Sequence, residues 1–310
     1  MRDGLHRIYA IVVTYEPDVQ IFREVIKRIS SQVDATVVVD NSENTDVVGV
    51  VGNAFGSDVK VLSMEGNKGI GSAHNKGIDY AVDAGATHII LLYQDSLAEK
   101  GMAAALLKVL EQKNCIGEKV SATGARYREV GSGRYSTFVR FGWLKFRQIP
   151  CPRNGRENVI RADFLISSGS MISVQTLSDV GKMDASLFID HVDTEWFLRA
   201  RSKGYTAYGV CNAIMSHKLG EGSFRIWIGR WRGLPRHTPI RYYYIVRNSI
   251  LLYKRRYAPI RWIMGDLVRL VVILIFYTAL QAPRWRRLKM IGKGLIDGLI
   301  GRGGQYMVQD

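Results

Sequence analysis

The chain has 310 residues, of which 47% are apolar, and it contains no internal repeat or low-complexity segment. That content suffices for one large core, or for a domain with an appendage, and it excludes a disordered or fibrous protein. The net charge of +15 is unevenly placed: from Arg225 onward seventeen Lys or Arg accompany three acids, which leaves residues 1–224 nearly neutral. Such a basic segment indicates an anionic partner, either nucleic acid or a membrane surface.

The cysteines and the N-terminus bear on the location of the protein. Cys115, Cys151 and Cys211 lie far apart and show no paired spacing, so we expect reduced thiols and neither a disulfide framework nor a zinc site. The apolar run at residues 8–13 is too short for the core of a signal peptide. We therefore expect a cytoplasmic protein.

The first third of the chain alternates between strand and helix patterns. Residues 9–13 form a buried strand, and a helix with apolar positions at three- and four-residue spacing follows over residues 21–29. Further strands are predicted at residues 36–39 and 59–62. A glycine-rich turn at residues 65–77 then leads into a second helix. This alternation predicts an α/β fold with a mostly parallel central sheet.

The glycine-rich turn partly matches a dinucleotide-binding fingerprint. Gly69 and Gly71 fit its first two glycines, but His74 stands where a third small residue is required, and the turn does not follow the first strand. We therefore do not expect a nicotinamide or flavin enzyme. A glycine-rich turn still lets the backbone approach a phosphate or a nucleoside.

A fourth predicted strand, residues 88–93, ends on Gln94, Asp95 and Ser96. Ligands of open α/β sheets bind at the carboxyl ends of the strands, where a lone carboxylate can reach a divalent cation. Asp and Ser are also favoured helix N-caps, and a helix is predicted over residues 98–111. The residues alone leave Asp95 open to either role, metal ligand or cap.

Polar residues end three successive strand units, at Asp40, Asn67 and Asp95. With their neighbours they form the segments Val12-Val13-Thr14-Tyr15, Val39-Asp40-Asn41-Ser42, Gly66-Asn67-Lys68-Gly69-Ile70, Asn75-Lys76-Gly77 and Gln94-Asp95-Ser96. In order and spacing these segments resemble family 2 glycosyltransferases of the GT-A fold, and most of all the bacterial rhamnosyltransferases among them.

The resemblance implies a Rossmann-like sheet and a nucleotide-sugar donor. The residues that it assigns to donor binding are Thr14, Tyr15, Asp40, Asn67, Lys68, Asn75, Gln94 and Asp95. It further implies that Asp95 holds a divalent metal, Mg²⁺ or Mn²⁺, against the donor diphosphate. The sequence departs from the family pattern at Tyr93, where relatives have Asp, so a ribose contact from that position is not implied.

The middle of the chain reads as a strand at residues 120–126, a basic and aromatic loop or lid at residues 134–156, and a turn of small residues at 167–170. The turn resembles the acceptor-side strand of the same family, which implies that Ser168 and Gly169 lie near the acceptor or the diphosphate. A simple packing turn is the alternative.

Four ionisable groups, Asp190, His191, Asp193 and Glu195, occupy six positions. If a helix begins near Asp193, the helix dipole stabilises acids in its first turn, so a capping role is expected for one of them. Clustered acids also shift one another's pKa values, as a general base requires. In the resembled family, with Arg199 fixing the alignment, Asp193 falls on the catalytic base, while Asp190 and Glu195 fall on the acceptor or diphosphate side.

A His-x-x-Gly element begins at His217. In the resembled family such a histidine lies near the metal and the diphosphate, so the resemblance implies that His217 joins Asp95 as a metal ligand. A solvated or structural histidine is the alternative.

From residue 239 onward the sequence interleaves aromatic residues with cations. Its longest apolar run, residues 270–280, has eleven residues, whereas a helix that spans a bilayer needs roughly 20. We predict an interfacial helix, with the cations of residues 284–289 at an anionic lipid surface. A helical cap packed on the core is the alternative. The chain then divides into a catalytic domain, residues 1–224, and a basic, amphipathic, membrane-associating helical region, residues 225–310.

Three function classes fit parts of this sequence. An inverting glycosyltransferase explains the strand-end acids, the acidic cluster and the basic tail together. The resemblance implies transfer of L-rhamnose from dTDP-rhamnose, or of a sugar from a UDP-sugar, to a lipid-linked glycan in bacterial surface polysaccharide synthesis, at the inner face of the cell membrane. A nucleic-acid-binding protein explains the tail alone, and a catalytically silent scaffold would account for Tyr93. The enzyme explains the most residues, so no nucleic-acid partner is expected.

Overall fold

A computed structural model describes residues 6–129, 133–152, 158–217, 223–227, 231–235, 238–280 and 283–307. The strands are β1 (Ile8–Thr14), β2 (Ala35–Asp40), β3 (Val59–Ser63), β4 (His88–Tyr93), β5 (Ser96–Ala98), β6 (Val120–Glu129), β7 (Phe138–Phe141), β8 (Phe146–Ile149), β9 (Val159–Ala162), β10 (Ser170–Ser173), β11 (Thr206–His217), β12 (Ser223–Trp227) and β13 (Trp231–Pro235). The helices are α1 (Val19–Ser30), α2 (Val47–Phe55), α3 (Ile70–Asp83), α4 (Met102–Cys115), α5 (Val174–Val180), α6 (Val192–Ser202), α7 (Pro239–Tyr253), α8 (Ile260–Leu280) and α9 (Arg284–Ile300).

Nine of the described strands form one sheet. Its order is β3-β2-β1-β4-β10-β6-β11-β5, with β9 beside β11. The first four strands in this order are parallel to one another. Strand β10 runs antiparallel to both of its neighbours, and β6 and β11 are again parallel. The α/β class predicted from the sequence is therefore confirmed.

Strand β1 shows why the parallel half of the sheet is so apolar. Its alternate residues Ile8, Ala10 and Val12 belong to a cluster with α1, α2 and α4, whereas Tyr9, Ile11 and Val13 belong to a cluster with α3, α5 and α6. Because side chains alternate along a strand, a strand covered by helices on both faces must be apolar at every position. Polar groups are then left to the strand ends.

Three predicted elements were wrong in their bounds. The glycine-rich turn expected over residues 65–77 ends at Gly69, because α3 begins at Ile70. The helix expected over residues 98–111 begins at Met102, after Gly101, because residues 96–98 instead form β5, which pairs antiparallel with the end of β11. Asp95 therefore does not cap that helix. The loop expected at residues 134–156 contains the hairpin of β7 and β8, and its residues 153–156 lie outside the described part of the chain.

The expectation of three reduced cysteines was also wrong. Cys151 and Cys211 form a disulfide with their Cα atoms 5.8 Å apart, and Cys115 is free and exposed. The two residues are 60 positions apart, but β9 pairs with β11, and the Cys211 amide donates to the Asn158 carbonyl at 2.8 Å. That pairing brings Asn158, seven residues after Cys151, next to Cys211. The cysteines thus no longer support a cytoplasmic location.

The C-terminal helices pack on the α/β core. Leu251 and Leu252 of α7 and Trp262 of α8 belong to the same buried cluster as α3, α5 and α6. Helix α7 lies between this core and α9, and its residues 242–249 are buried on every side. Among the helices of the described ranges, none combines the length and the apolarity that a bilayer crossing requires.

Candidate active site

A cavity of about 630 Å³ opens at the carboxyl ends of β1 and β4, where the parallel half of the sheet meets the antiparallel β10. A crevice at such a change of strand order is where open α/β sheets bind their ligands. Eight residues predicted from the sequence line this cavity: Thr14, Tyr15, Asn67, Gln94, Asp95, Ser168, Asp190 and Asp193. The structure therefore brings together residues from five separate segments of the chain.

One wall of the cavity is an amide-rich cradle. The Gln94 Oε1 atom accepts from the Thr14 hydroxyl at 3.0 Å and from the Tyr15 amide at 2.6 Å. The Asn41 Nδ2 atom donates to Asn67 Oδ1 at 3.2 Å, and Asn41 Oδ1 accepts from the Lys68 amide at 2.8 Å. These bonds tie the turn after β4 to the turn after β1, and the turn after β2 to the turn after β3, so the amide groups beside the cavity are held in place.

Asn41, which the sequence analysis did not select, takes the place expected for Asp40. The cavity is lined by Asn41, whereas Asp40 is buried and its Oδ1 accepts from the Ser42 amide at 2.9 Å. Neighbouring residues at a strand end point in opposite directions, so a shift by one position moves the polar group from the cavity into the turn. Spacing alone did not reveal which of the two faced the ligand.

Four further predicted residues do not reach the cavity in the described structure: Lys68, Asn75, Gly169 and Glu195. Asn75 bonds both the carbonyl and the amide of Met183, at 2.9 Å each, and so holds α3 against the segment between α5 and α6. Gly169 has a φ of +80° and bridges β4 and β6 through its backbone. Its neighbour Ser168 does face the cavity and bonds the Ser96 hydroxyl at 2.6 Å.

Glu195 lies in the core, away from the cavity. Its carboxylate accepts from Arg199 at 2.8 and 2.9 Å and from the Tyr257 hydroxyl at 2.5 Å, and the side chain is 1% exposed. A buried carboxylate needs such partners. Arg199 also donates to the Val180 and Lys182 carbonyls, so this pair anchors α6 to the rest of the fold.

Asp95 lies in the turn between β4 and β5 and lines the cavity. The register of β5 and β11 pairs Ser96 with His217, which places the His217 backbone across from the residue that follows Asp95. The backbones of the two predicted metal ligands are therefore close together, although 122 positions separate them in the chain. The His217 side chain and the glycine of its His-x-x-Gly element lie outside the described part of the structure.

Asp193 is the second residue of α6 and faces the cavity. Its carboxylate accepts from the Thr194 amide at 2.7 Å and from the Ser167 amide. Burial raises the pKa of Asp193 above its ordinary value, and the negative charge of Asp190 raises it further, against the effect of these amides. A carboxylate held in place and made more basic by its surroundings suits a general base.

Arg241 of α7 enters the same cavity, and the sequence analysis missed it. Its guanidinium contacts the Asp190 carboxylate at 3.1 to 3.3 Å. The sequence signal existed, since Arg241 opens the aromatic segment after residue 239, but we assigned that whole segment to the membrane. Tyr93 adjoins this group: burial raises its pKa, and the charges of Asp193 and Asp190 raise it further, so its hydroxyl stays neutral.

His191 contacts the cavity but its ring is tied into a buried polar group. Its Nε2 atom lies 3.0 Å from the Ser249 hydroxyl and 2.9 Å from an Arg269 nitrogen, and its ring meets Trp262 edge-on. Burial lowers the pKa of His191 to about 4. The imidazole is thus neutral at neutral pH and already engaged, which leaves Asp193 as the better candidate for a base.

Comparison with known proteins gives the arrangement a family. The family model described as glycosyl transferase family 2 matches residues 9–181, more than half of the chain. The chain belongs to glycosyltransferase family 2. The match contains all of the amide-rich wall and Asp95. It ends before Asp193, so our interpretation of the acidic end of the cavity is based on the geometry described above.

The relatives extend the likeness beyond this match. The chain is 29% identical over 301 residues to the dTDP-rhamnosyl transferase RfbF of Shigella flexneri, covering 96% of this chain and 98% of that one. The fold of this chain resembles that of residues 1–349 of S. aureus TarS in complex with UDP-GlcNAc. The TM-score is 0.59 at 12% identity, and the match covers 94% of this chain and 81% of the TarS fragment.

A third likeness is to GalNAc-T7 with UDP, GalNAc and Mn²⁺, with a TM-score of 0.58 and 13% identity. It covers 89% of this chain, and the chain spans 57% of the length of GalNAc-T7. Together with TarS, this structure identifies the fold as GT-A, as the sequence resemblance implied. The family 2 glycosyltransferase is thus an enzyme whose cavity combines an amide-rich wall, a strand-end carboxylate and a carboxylate pair.

We predict that Asp190 and Arg241 move the pKa of Asp193 in opposite directions. Asp190→Asn removes a negative charge that disfavours the Asp193 carboxylate, so the pKa of Asp193 should fall. Arg241→Gln leaves that charge uncompensated, so the pKa should rise. Carboxyl-carbon NMR titration measures both shifts, with the Asp193 signal assigned by its loss in Asp193→Asn. Arg255→Gln breaks a pair with Asp184 outside the cavity and should leave the titration unchanged; shifts of equal sign in the first two variants would contradict the prediction.

Proposed function

We propose that this family 2 enzyme is an inverting glycosyltransferase that moves L-rhamnose from dTDP-L-rhamnose to a hydroxyl of a lipid-linked glycan in bacterial surface polysaccharide synthesis. The observation that carries the reaction class is Asp193, a carboxylate of raised pKa held by two amides in the same cavity as Asp95. The similarity to RfbF over almost the whole chain supports the choice of rhamnose and of the dTDP nucleotide.

The reaction is a single displacement in which Asp193 acts as general base. The acceptor hydroxyl gives its proton to the Asp193 carboxylate while its oxygen attacks the anomeric carbon of the donor sugar. The bond from that carbon to the diphosphate oxygen breaks, and the nucleoside diphosphate leaves on the opposite side. One displacement inverts the configuration of the anomeric carbon.

The amide-rich wall is the proposed nucleoside site. Asn41, Asn67 and Gln94 present amide groups that are fixed by their bonds to backbone and to one another. Fixed donors and acceptors recognise a polar base without the loss of side-chain freedom that mobile groups would incur. Tyr15, which is 46% exposed beside this wall, offers an aromatic face to the base.

The residues at the end of β4 fit a divalent cation. Asp95 supplies a carboxylate in the cavity, and the register places His217 opposite Ser96; one carboxylate and one imidazole leave room for diphosphate oxygens and water, as Mg²⁺ and Mn²⁺ require. When bound, such a cation would neutralise the charge of the departing diphosphate. The Mn²⁺ in the GalNAc-T7 structure supports this assignment.

Exposed apolar side chains on the C-terminal helices support an acceptor at a membrane. Among their described side chains, α8 and α9 expose six large apolar residues each: Ile260, Leu267, Val268, Val271, Val272 and Ile275 on α8, and Trp285, Leu288, Leu295, Ile296, Leu299 and Ile300 on α9. We propose that α8 and α9 lie on the inner face of the cell membrane as a peripheral anchor. Exposed apolar area of this extent marks an interaction surface.

The cations of α9 divide into two groups. Arg284, Arg286 and Lys289 are exposed at its N-terminal end, where they can meet anionic lipid. Arg287 is 1% exposed and lies over the Tyr242 ring, 5.1 Å from its centroid. Arg287 thus belongs to the packing between α7 and α9, and the surface charge is smaller than the sequence alone suggests.

Replacing Asp193 tests the proposed base. Asp193→Asn should lower turnover by about a hundred- to ten-thousand-fold, the range typical for a lost general base, while donor affinity stays near that of the parent enzyme. Release of nucleoside diphosphate measures turnover, and calorimetry with dTDP measures affinity. Asp79→Asn makes the same change at a surface ion pair with Lys182 and serves as control. Turnover of Asp193→Asn close to that of the control would remove Asp193 from the mechanism.

Replacing Asp95 tests the metal site. Asp95→Ala should abolish stimulation by Mg²⁺ or Mn²⁺ and weaken binding of dTDP at least about tenfold, because a cation held by fewer ligands bridges the diphosphate poorly. Binding of thymidine, which has no phosphate, should not change and serves as the internal control. A variant that needs metal at an unaltered concentration would show that the ligand lies elsewhere.

Flotation with vesicles tests the membrane surface. Converting Arg284, Arg286 and Lys289 to Gln should weaken partitioning onto vesicles containing phosphatidylglycerol by roughly a hundredfold at low salt, at about 1 kcal/mol for each cation. Turnover of a soluble donor should persist. The control converts Arg23, Lys27 and Lys108, exposed on helices at the other face of the sheet. Equal losses in both variants would point to a net-charge effect, and tighter binding to DNA than to these vesicles would favour a nucleic-acid partner.

A further inference from the structure

The segment that carries the acidic cluster has a strained backbone. Phe188, Asp190 and His191 have φ angles of +63°, +58° and +62°, a left-handed conformation that side chains with a Cβ atom disfavour. We call residues 188–191 the acidic loop. Three such residues in four positions persist only where the surroundings hold each of them in place. The question is which groups do so.

Asn248 of α7 holds the acidic loop from behind. Its Nδ2 atom donates to the carbonyls of Leu187, Ile189 and Asp190 at 2.9, 2.7 and 2.9 Å. The side chain is completely buried and does not line the cavity. One amide group therefore contacts three carbonyls across the strained residues. Loss of this donor would remove a hydrogen bond from the Ile189 and Asp190 carbonyls, whereas the Leu187 carbonyl would keep its bond from the Ile189 amide.

The two neighbours of Asn248 complete the hold. Arg247 donates from Nε to Asn248 Oδ1 at 2.9 Å, which fixes the orientation of the amide, and from its terminal nitrogens to the Leu187 and Gly304 carbonyls at 3.0 and 2.6 Å. Ser249 bonds His191 at 3.0 Å. All three residues, which follow one another on α7, are completely buried.

Helix α9 packs closely on the side of α7 that faces away from the acidic loop. A Cβ atom on Gly294 would lie 2.5 Å from the Tyr243 carbonyl oxygen, and one on Gly298 would lie 3.0 Å from the Arg247 carbonyl oxygen. The two helices thus approach as closely as backbones without side chains allow. This contact backs Arg247, Asn248 and Ser249 with a rigid surface.

The acidic loop reaches both ends of the cavity. It leads directly into α6, whose second residue is Asp193, and it carries Asp190. On the other side the Ile70 amide donates to the Phe188 carbonyl at 2.7 Å, next to Gly69 in the glycine-rich turn. The conformation of four residues therefore decides where the proposed base stands relative to the donor turn.

We propose that Asn248, oriented by Arg247 and assisted by Ser249, is the positioning residue that keeps the acidic loop left-handed and so places Asp190 and Asp193 for transfer. The inference rests on the proposed function for its effect on turnover, and on the hydrogen bonds above for its effect on the loop. A misplacement of about 1 Å at a reacting group lowers the rate by about a hundredfold.

The test compares Asn248→Asp and Ser249→Ala with Tyr243→Phe. Asn248→Asp keeps the side-chain size and the oxygen that accepts from Arg247, but it replaces the amide donor by a carboxylate oxygen that faces three carbonyls. We therefore expect kcat to fall about a hundredfold. The affinity for dTDP should change less than threefold. Ser249→Ala removes one of the bonds and should lower kcat by a smaller factor. Tyr243→Phe removes a buried bond from α7 to Asp297 and should lower thermal stability without lowering kcat at 25 °C.

Two readouts separate positioning from general destabilisation. In Asn248→Asp, amide hydrogen exchange should speed up at residues 187–193 ahead of α7, and the carboxyl titration of Asp193 should shift from its position in the parent enzyme. Unchanged kcat in Asn248→Asp, or an equal loss of kcat in Tyr243→Phe, would overturn the proposal. If the parent enzyme releases no nucleoside diphosphate from any nucleotide sugar, the proposed function fails, but exchange and titration still decide whether Asn248 holds the loop.

Discussion

The burial of β1, β2 and β4 on both faces is the constraint on which the rest of the structure depends. Helices cover each face, so the interior positions of these strands are apolar except Thr36, whose hydroxyl bonds Ser30, and most polar side chains lie at the strand ends. Because the three strands are parallel, their carboxyl ends meet at one edge, where Thr14, Asn41 and Gln94 stand side by side. The donor side of the active site follows directly from the packing of the sheet.

The antiparallel strand β10 sets the other half of the site. It begins beside Leu91, near the carboxyl end of β4, so the turn that precedes it brings Ser167 and Ser168 to the same edge. The Ser167 amide then binds the Asp193 carboxylate, which links the turn to the start of α6. A change of strand direction thus opens the crevice and also supplies the amide that holds the proposed base.

The positive charge of the C-terminal region has more than one physical role. Arg241 pairs with Asp190 in the cavity, Arg269 with Asp266 behind it, and Arg247 bonds the backbone that carries the acidic loop. These cations serve the interior, whereas Arg284 and Arg286 are exposed. A charge count treats all of them alike, although a guanidinium that satisfies buried carbonyls and carboxylates is unavailable to an external anion.

Local sequence patterns were sufficient to predict the α/β class, the positions of β1 to β4 within one or two residues, the start of α6 near Asp193, and the family. Apolar periodicity and the polar residues at strand ends involve residues that are close together in the chain, so they are visible in the sequence pattern. Four features became apparent only in the folded structure, because each depends on contacts between distant segments. They are strand β5, the disulfide between Cys151 and Cys211, the burial of Glu195 and the position of Arg241 in the cavity. These features arise where segments remote in the chain meet, and no local spacing encodes which side chain will find a partner there.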